Sequence, residues 1–205
     1  MHRDIPFLDM RRSPGDPVNC WIVYLMPFDP EERGDYEKID TFQQSCIDYK
    51  IFGMGWDIVN EPLSYGTSIQ DGAEIYNERY GPNSGMENAL KLYKRVQKGD
   101  YVLTRLKNGH YYVGRVIEPA IYVQQDQEPY INLSWGCRVE RWEEYASEED
   151  IPSEIRGRLS QKRHPTIQRM DGYRLRLLTM KLYDDRETVP QLKIPPLRIT
   201  RENFV

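Results

Sequence analysis

"GDYVLTRLKNGHYYVGRVIEP", Gly99 to Pro119, is the stretch that decides the fold. Two alternating runs rich in β-branched and aromatic residues flank Asn108-Gly109. Alternation of this kind marks a half-buried strand. Asn-Gly between two such runs is the strongest short-range hairpin signal, because both central residues of a type I′ turn take positive φ. The stretch therefore predicts a strand over Tyr101–Leu106, a tight turn, and a strand over Tyr111–Ile117.

Upstream of the hairpin, Met86, Ala89, Leu90, Tyr93 and Val96 recur at spacings that put them on one helical face. Ser84 and Glu87 form a capping box before them, so the spacing predicts a helix over 85–97. Further upstream, "CWIVYLM" (Cys20–Met26) is a continuous apolar run and reads as a buried strand. Tyr36, Ile39, Phe42, Cys46 and Tyr49 make a second helical stripe over 36–49. That helix delivers the chain into "IFGMGW" (Ile51–Trp56), a second strand. Residues 1–18 read as an N-terminal arm, and the polar residues 57–84 as a long loop insert.

Downstream, strands are predicted over Tyr130–Trp135 and Cys137–Trp142, and a short helix after Asp150 and Pro152 carrying Ile155 and Leu159. "YRLRLLTMKLY" (Tyr173–Tyr183) opens with alternation and reads as a strand. The tail from Asp184, with Pro190, Pro195 and Pro196, reads as extended and packed on the domain surface. Many strands in short succession, with two amphipathic helices, predict an α+β domain: a twisted, partly closed, antiparallel-rich β-barrel with helices packed outside.

The chain has 205 residues and a net charge of −4, which argues against a general nucleic-acid binder. The charge is uneven: residues 1–90 carry a net of −9 and residues 91–205 a net of +5. Seven basic residues (Arg156, Arg158, Lys162, Arg163, Arg169, Arg174 and Arg176) stand against Asp171 in the run from 156 to 176. Such a run is either a solvated face or a patch able to grip phosphates. The three cysteines lack metal-ligand or disulfide spacing, which fits a reducing cytoplasm. No apolar run is long enough to span a membrane, and the N-terminus has no apolar segment of the secretory kind. The 15 tyrosines and 4 tryptophans supply the flat rings from which stacking sites are built.

The order of these motifs resembles the EVE-like branch of the PUA superfamily. The matching segments are "CWIVYL", "IFGMGW", "LYKRVQKGDYVLTRLKNGHYYVGRV", "WGCRVERW" and "IPSEIRGRLSQKRHPTI", and together they span residues 19–170. The resemblance implies a small PUA-like pseudo-barrel, with residues 171–205 as a C-terminal extension. Several EVE-like domains read a modified base flipped into an aromatic-walled pocket, often fused to a restriction nuclease, and other PUA-like domains bind RNA. The 57–84 insert and the C-terminal extension depart from the family pattern, and no nuclease domain is recognisable in the chain.

On that comparison, Gly53 and Gly55 leave room for a flat ring beside the backbone, and Trp56 forms one wall of a base pocket. Trp135 is the first choice for the opposite wall, ahead of Trp142, Trp21 and Tyr122. Thr104 and Arg105 would reach the base edge or a phosphate. Arg156, Arg158, Lys162, Arg163 and Arg169 would hold flanking phosphates. Each tryptophan has a plain core role as its alternative, and Arg105 a solvated one. No nucleophile elbow, HExxH spacing or glycine-rich phosphate loop is present. The expectation is a non-enzymatic module without cofactor or metal. Its partner would be DNA or RNA carrying a modified or unpaired base, with a separate nuclease or effector and no membrane. A scaffold using the acidic half and the tyrosine-rich insert is the alternative, and an enzyme with an unrecognised site the second.

Overall fold

A computed structural model describes residues 18–26, 34–54, 84–122, 133, 135–159 and 166–184, with single positions 71, 74 and 78. The hairpin forms as strands β3 (Tyr101–Arg105) and β4 (Tyr111–Tyr122), paired antiparallel with Thr104 opposite Tyr112. Its turn differs from the type I′ expectation. Gly109 N–H bonds the Leu106 carbonyl, Leu106 N–H bonds the His110 carbonyl, and only Gly109 has positive φ, at 93°. This is a turn followed by one left-handed glycine, the bulged form of a slightly longer hairpin loop. The Asn108 side chain accepts from His110 N–H, so it serves the turn without taking positive φ itself.

β1 (Cys20–Val23) runs parallel to β3, and β2 (Ile51–Met54) pairs antiparallel with β5 (Trp135–Tyr145). β6 (Ile167–Arg169) closes the other edge on β1. The order β2-β5-β4-β3-β1-β6 makes a curled, mixed half-barrel sheet. Three register shifts between β4 and β5, from Gly114 to Ile121, coincide with that curl. Pro119 falls inside the last shift, where a missing N–H disrupts little. One continuous β5 replaces the two short strands expected around Gly136; residues 130–132 and 134 lie outside the described set.

Among the described residues four α-helices pack with the sheet. α1 (Tyr36–Asp48) starts at Asp35, whose carboxylate accepts from Glu37 and Lys38 N–H at 3.0 and 3.2 Å. α2 (Ser84–Tyr93) is shorter than its stripe predicted, though Val96 beyond its end is still buried. α3 (Ser153–Leu159) is the short helix, buried through Ile155 and Leu159. The segment expected as a strand, 173–183, is instead helix α4 (Tyr173–Asp184). Leu178, Thr179, Leu182 and Tyr183 are its buried residues, a spacing of three and four that overrides the brief alternation at its start.

The sheet separates two cores. On one face Val102, Tyr112, Trp135, Cys137 and Val139 pack with Cys46 of α1 and Ala89, Leu90 and Tyr93 of α2. On the other, Tyr101, Leu103, Tyr111, Val113 and Tyr145 pack with α3 and α4. The Gly-Asp entry to β3 has a structural role in this arrangement. Gly99 takes positive φ, and the Asp100 carboxylate, fully buried, accepts from Asn19 N–H, Gln97 N–H and Trp21 Nε1–H at 2.9–3.0 Å. It thereby fixes β1 against the start of β3. Among the described residues no helix is long and apolar enough to cross a membrane.

Candidate functional site

The residues named from sequence fall at two places on the sheet. At the first, β2 meets β5, with Gly53 opposite Gly136 and Met54 opposite Trp135. A Cβ on Gly53 would stand 1.9 Å from the Trp135 carbonyl oxygen. The missing side chain there admits the neighbouring backbone, so the space attributed to a ligand ring at Gly53 is filled by β5. The Gly53 carbonyl accepts from the Tyr93 hydroxyl at 2.8 Å, which ties α2 to this strand. Trp135 is fully buried and packs edge-on against Tyr122, with ring centroids 5.9 Å apart. Among the described residues its indole Nε1–H has no hydrogen-bond partner. Gly55 and Trp56 lie outside the described residues, as do 57–70 and most of the insert beyond.

Thr104 and Arg105 stand at the second place. Thr104 shares the first face with Val102 and Trp135, is fully buried, and its hydroxyl has no partner among the described residues. Its strand partner is Tyr112, however, whereas the partner of Trp135 is Tyr122. Ten residues of β4 separate the two levels, which on an uncurled strand is roughly 30 Å. Thr104 and Trp135 therefore stand opposite different levels of β4.

Arg105 points to the opposite face. Its guanidinium lies 5.2 Å from the Tyr111 ring centroid, and Nη2 stands 2.8 Å from Glu148 Oε1. The Tyr111 hydroxyl donates to the same oxygen at 3.1 Å, and Arg156 Nη1 stands 4.0 Å from the other. Burial first, and then the bond to Glu148, pushes the Tyr111 hydroxyl above its ordinary range.

The basic run is more neutralised than its composition suggests. Arg169 pairs with Asp171 at 3.1 Å, Arg174 with Glu154 at 2.9 Å, and Arg156 faces Glu148. A backbone hydrogen bond, then the charge of Arg174, holds the Glu154 carboxyl below the usual carboxylate range. The run is thus not one free cationic face. Arg158 is exposed, and its carbonyl accepts from the Tyr24 hydroxyl at 3.4 Å. Lys162 and Arg163 lie outside the described residues.

The other aromatic candidates have packing roles. Trp21 serves Asp100, and Trp142, half-buried, lies against Gly114 and donates to the Cys46 carbonyl at 3.3 Å. Sequence reasoning missed Glu148 and Glu144, the two acids on which several donors converge. His110 Nδ1 stands 2.6 Å from Glu144 Oε1, and the Tyr112 hydroxyl donates to that oxygen at 2.9 Å. Only the β4–β5 register brings these residues together, and no short-range pattern carries it. Burial pushes the thiols of Cys46 and Cys137 up, so both stay protonated and poorly nucleophilic.

No family model matches this chain, and no curated protein or solved structure does either.

The chemistry within reach is therefore that of the residues alone. The first place offers an unused indole donor in an aromatic setting beside a sheet edge. The second offers two guanidiniums and a phenol gathered on one carboxylate. Among the described residues no group of three or more His, Cys, Asp or Glu is placed to hold a metal ion.

Proposed function

We propose that the protein is a non-catalytic, cytoplasmic module that captures a modified or flipped nucleobase of DNA or RNA. It would act in the manner of the EVE-like, PUA-like domains it resembles and hand the captured strand to a separate nuclease or effector. The observation that carries this reading is the indole of Trp135: fully buried, packed edge-on against Tyr122, and with its N–H unmatched among the described residues. A buried donor left without a partner costs about 1–3 kcal/mol. A base presenting an acceptor would remove that cost, and stacking would add about 1–3 kcal/mol. Met54, opposite Trp135, is the last residue of β2, and the chain runs from it directly into Gly55 and Trp56. In this reading Trp56 supplies the stacking wall, Trp135 the hydrogen bond, and the basic segment the phosphate contacts.

Trp135→Phe tests it, because phenylalanine keeps a flat ring and deletes the donor. The expected outcome is a loss of affinity for oligonucleotides carrying one class of modified base, with the fold retained and only a modest fall in melting temperature from the smaller ring. Equal affinity of wild type and variant across a panel of modified and unmodified oligonucleotides would overturn it.

A further inference from the structure

We propose that Arg105 and Arg156 form a phosphoryl-binding notch that Glu148 occupies and gates. The inference rests on the reading of the basic segment as phosphate-binding and adds a regulating residue to it. Among the described ion pairs, Glu148 is the only acid facing two arginines from different elements: Arg105 from the end of β3 at 2.8 Å, and Arg156 from α3 at 4.0 Å. The Tyr111 hydroxyl adds a third donor at 3.1 Å. A planar guanidinium, a second cation and a hydroxyl converging on a small volume suit the several acceptor oxygens of a phosphoryl group better than one carboxylate. The 4.0 Å separation to Arg156 makes the point: the carboxylate attracts that arginine electrostatically without closing a hydrogen bond at that distance.

Arg105 and the helix that carries Arg156 are held where they are independently of Glu148. Arg105 lies over the Tyr111 ring, which is itself fully buried. Arg156 rides on a helix anchored by Ile155 and Leu159. Glu148, by contrast, sits on a three-residue turn (Glu148–Asp150) with its side chain about half exposed, at 53%. Its carboxylate can swing into water at little cost, because exposed ion pairs are weak. The donors stay behind, preorganised. Glu148 thus acts as a built-in competitor, lowering the affinity of the notch for phosphate and releasing it when a better anion arrives.

Calorimetric titration with two probes tests the gate: inorganic phosphate, and an oligothymidylate with no terminal phosphate. Glu148→Ala is expected to bind at least one probe about threefold to fivefold tighter than wild type, since an exposed ion pair of this kind is worth up to about 1 kcal/mol. Glu149→Ala, one residue away on the same turn and removing the same charge, is expected to change little. Adding Arg105→Ala to Glu148→Ala should abolish the gain. Glu148→Gln, which keeps the shape of the side chain, should show part of it and guards against a folding artefact. Tightening toward inorganic phosphate alone assigns the notch to a free or terminal phosphate. Tightening toward both probes assigns it to a backbone phosphate. The gate is overturned if Glu148→Ala and Glu149→Ala behave alike toward both probes, including the case in which neither binds. Neither probe carries a modified base, so this outcome is independent of the Trp135→Phe result.

Discussion

The two faces of the sheet solve the same problem, burying aromatic residues with polar tips, in opposite ways. On the α3/α4 face the tyrosines end on carboxylates or carbonyls at the rim. Tyr101 reaches Asp184, Tyr111 reaches Glu148, Tyr183 reaches Glu140, and Tyr145 donates to the Leu182 carbonyl. The α1/α2 face is drier. Tyr93 finds the Gly53 carbonyl and Trp21 finds Asp100, but among the described residues Thr104 Oγ1 and Trp135 Nε1 find nothing. A face whose tyrosine hydroxyls are all matched is tied to its helices; one that leaves an aromatic donor and a buried hydroxyl unmatched among the described residues is where a base gains most. That contrast is why the base site is proposed on the α1/α2 face.

The largest expected effect breaks the drier face at its edge. Gly53→Ala would drive a methyl into the Trp135 carbonyl, which is backbone and cannot rotate away. The β2–β5 pairing would open, at a cost of roughly 3 kcal/mol or more. Gly114→Ala is the comparison, because its added carbon meets Trp142 and Val139 side-chain atoms at 3.0 Å, which can shift; the expected cost is about 1–2 kcal/mol. Urea unfolding of the two variants checks the order. A milder loss for Gly53→Ala than for Gly114→Ala would show that β2 is not held as tightly as the register indicates.

Much of the fold was legible because its signals are local. The Asn108-Gly109 hairpin, both amphipathic helices and the apolar β1 and β2 each carry their own period within a dozen residues. α4 was misread for the same reason: Tyr173 to Leu177 alternate locally, and the helical spacing of Leu175, Leu178 and Leu182 emerges only over a longer window. The site was less legible because register is not local. Thr104 and Trp135 share a face, but the length of β4 and its three shifts decide that they sit at different levels. No residue pattern could reveal that a buried indole lacks a partner, since that is a property of everything packed around it. The Arg105–Glu148 pair likewise spans 43 positions and depends on where α3 docks.

A second, intermediate effect probes the matched face through pH. Burial raises the Tyr183 hydroxyl to about 12, with Arg141 opposing and Glu140 reinforcing the shift. The ordinary tyrosine value is about 10. A folded value above the unfolded one means this contribution to stability is whole below pH of about 10, and is lost as pH climbs through about 12. The linked loss is at most about 2–3 kcal/mol. Tyr183→Phe keeps the ring under the Arg141 guanidinium, 4.4 Å away, and removes the titrating group. Its denaturant midpoint is expected to fall less steeply with pH across that window than that of wild type. Parallel curves would mean the hydroxyl is not desolvated by α4 docking, and the matched face would lose one of its ties.

The smallest expected effect sharpens the contrast most. Thr104→Val replaces a buried, unpartnered hydroxyl with a methyl of nearly the same shape. Where a hydroxyl has a partner, removing it costs about 1 kcal/mol; where it has none, the swap is near neutral or stabilising. The expected change in unfolding free energy is therefore between zero and about 1 kcal/mol in favour of the variant. Trp135→Phe, measured alongside, removes the other unmatched donor but also leaves space where the larger indole was, so it is expected to lose some packing energy even as it sheds the orphan group. The two sites differ in a further way. Thr104 lies on an interior strand between β4 and β1, whereas Trp135 lies beside the edge strand β2. A stabilised Thr104→Val protein with the same affinities as wild type across the panel of modified-base oligonucleotides would mark Thr104 as a packing imperfection and leave Trp135 as the unmatched donor to be tested. A destabilised one would mean that the threonine hydroxyl is matched after all, and the difference between the two faces would shrink to a single indole.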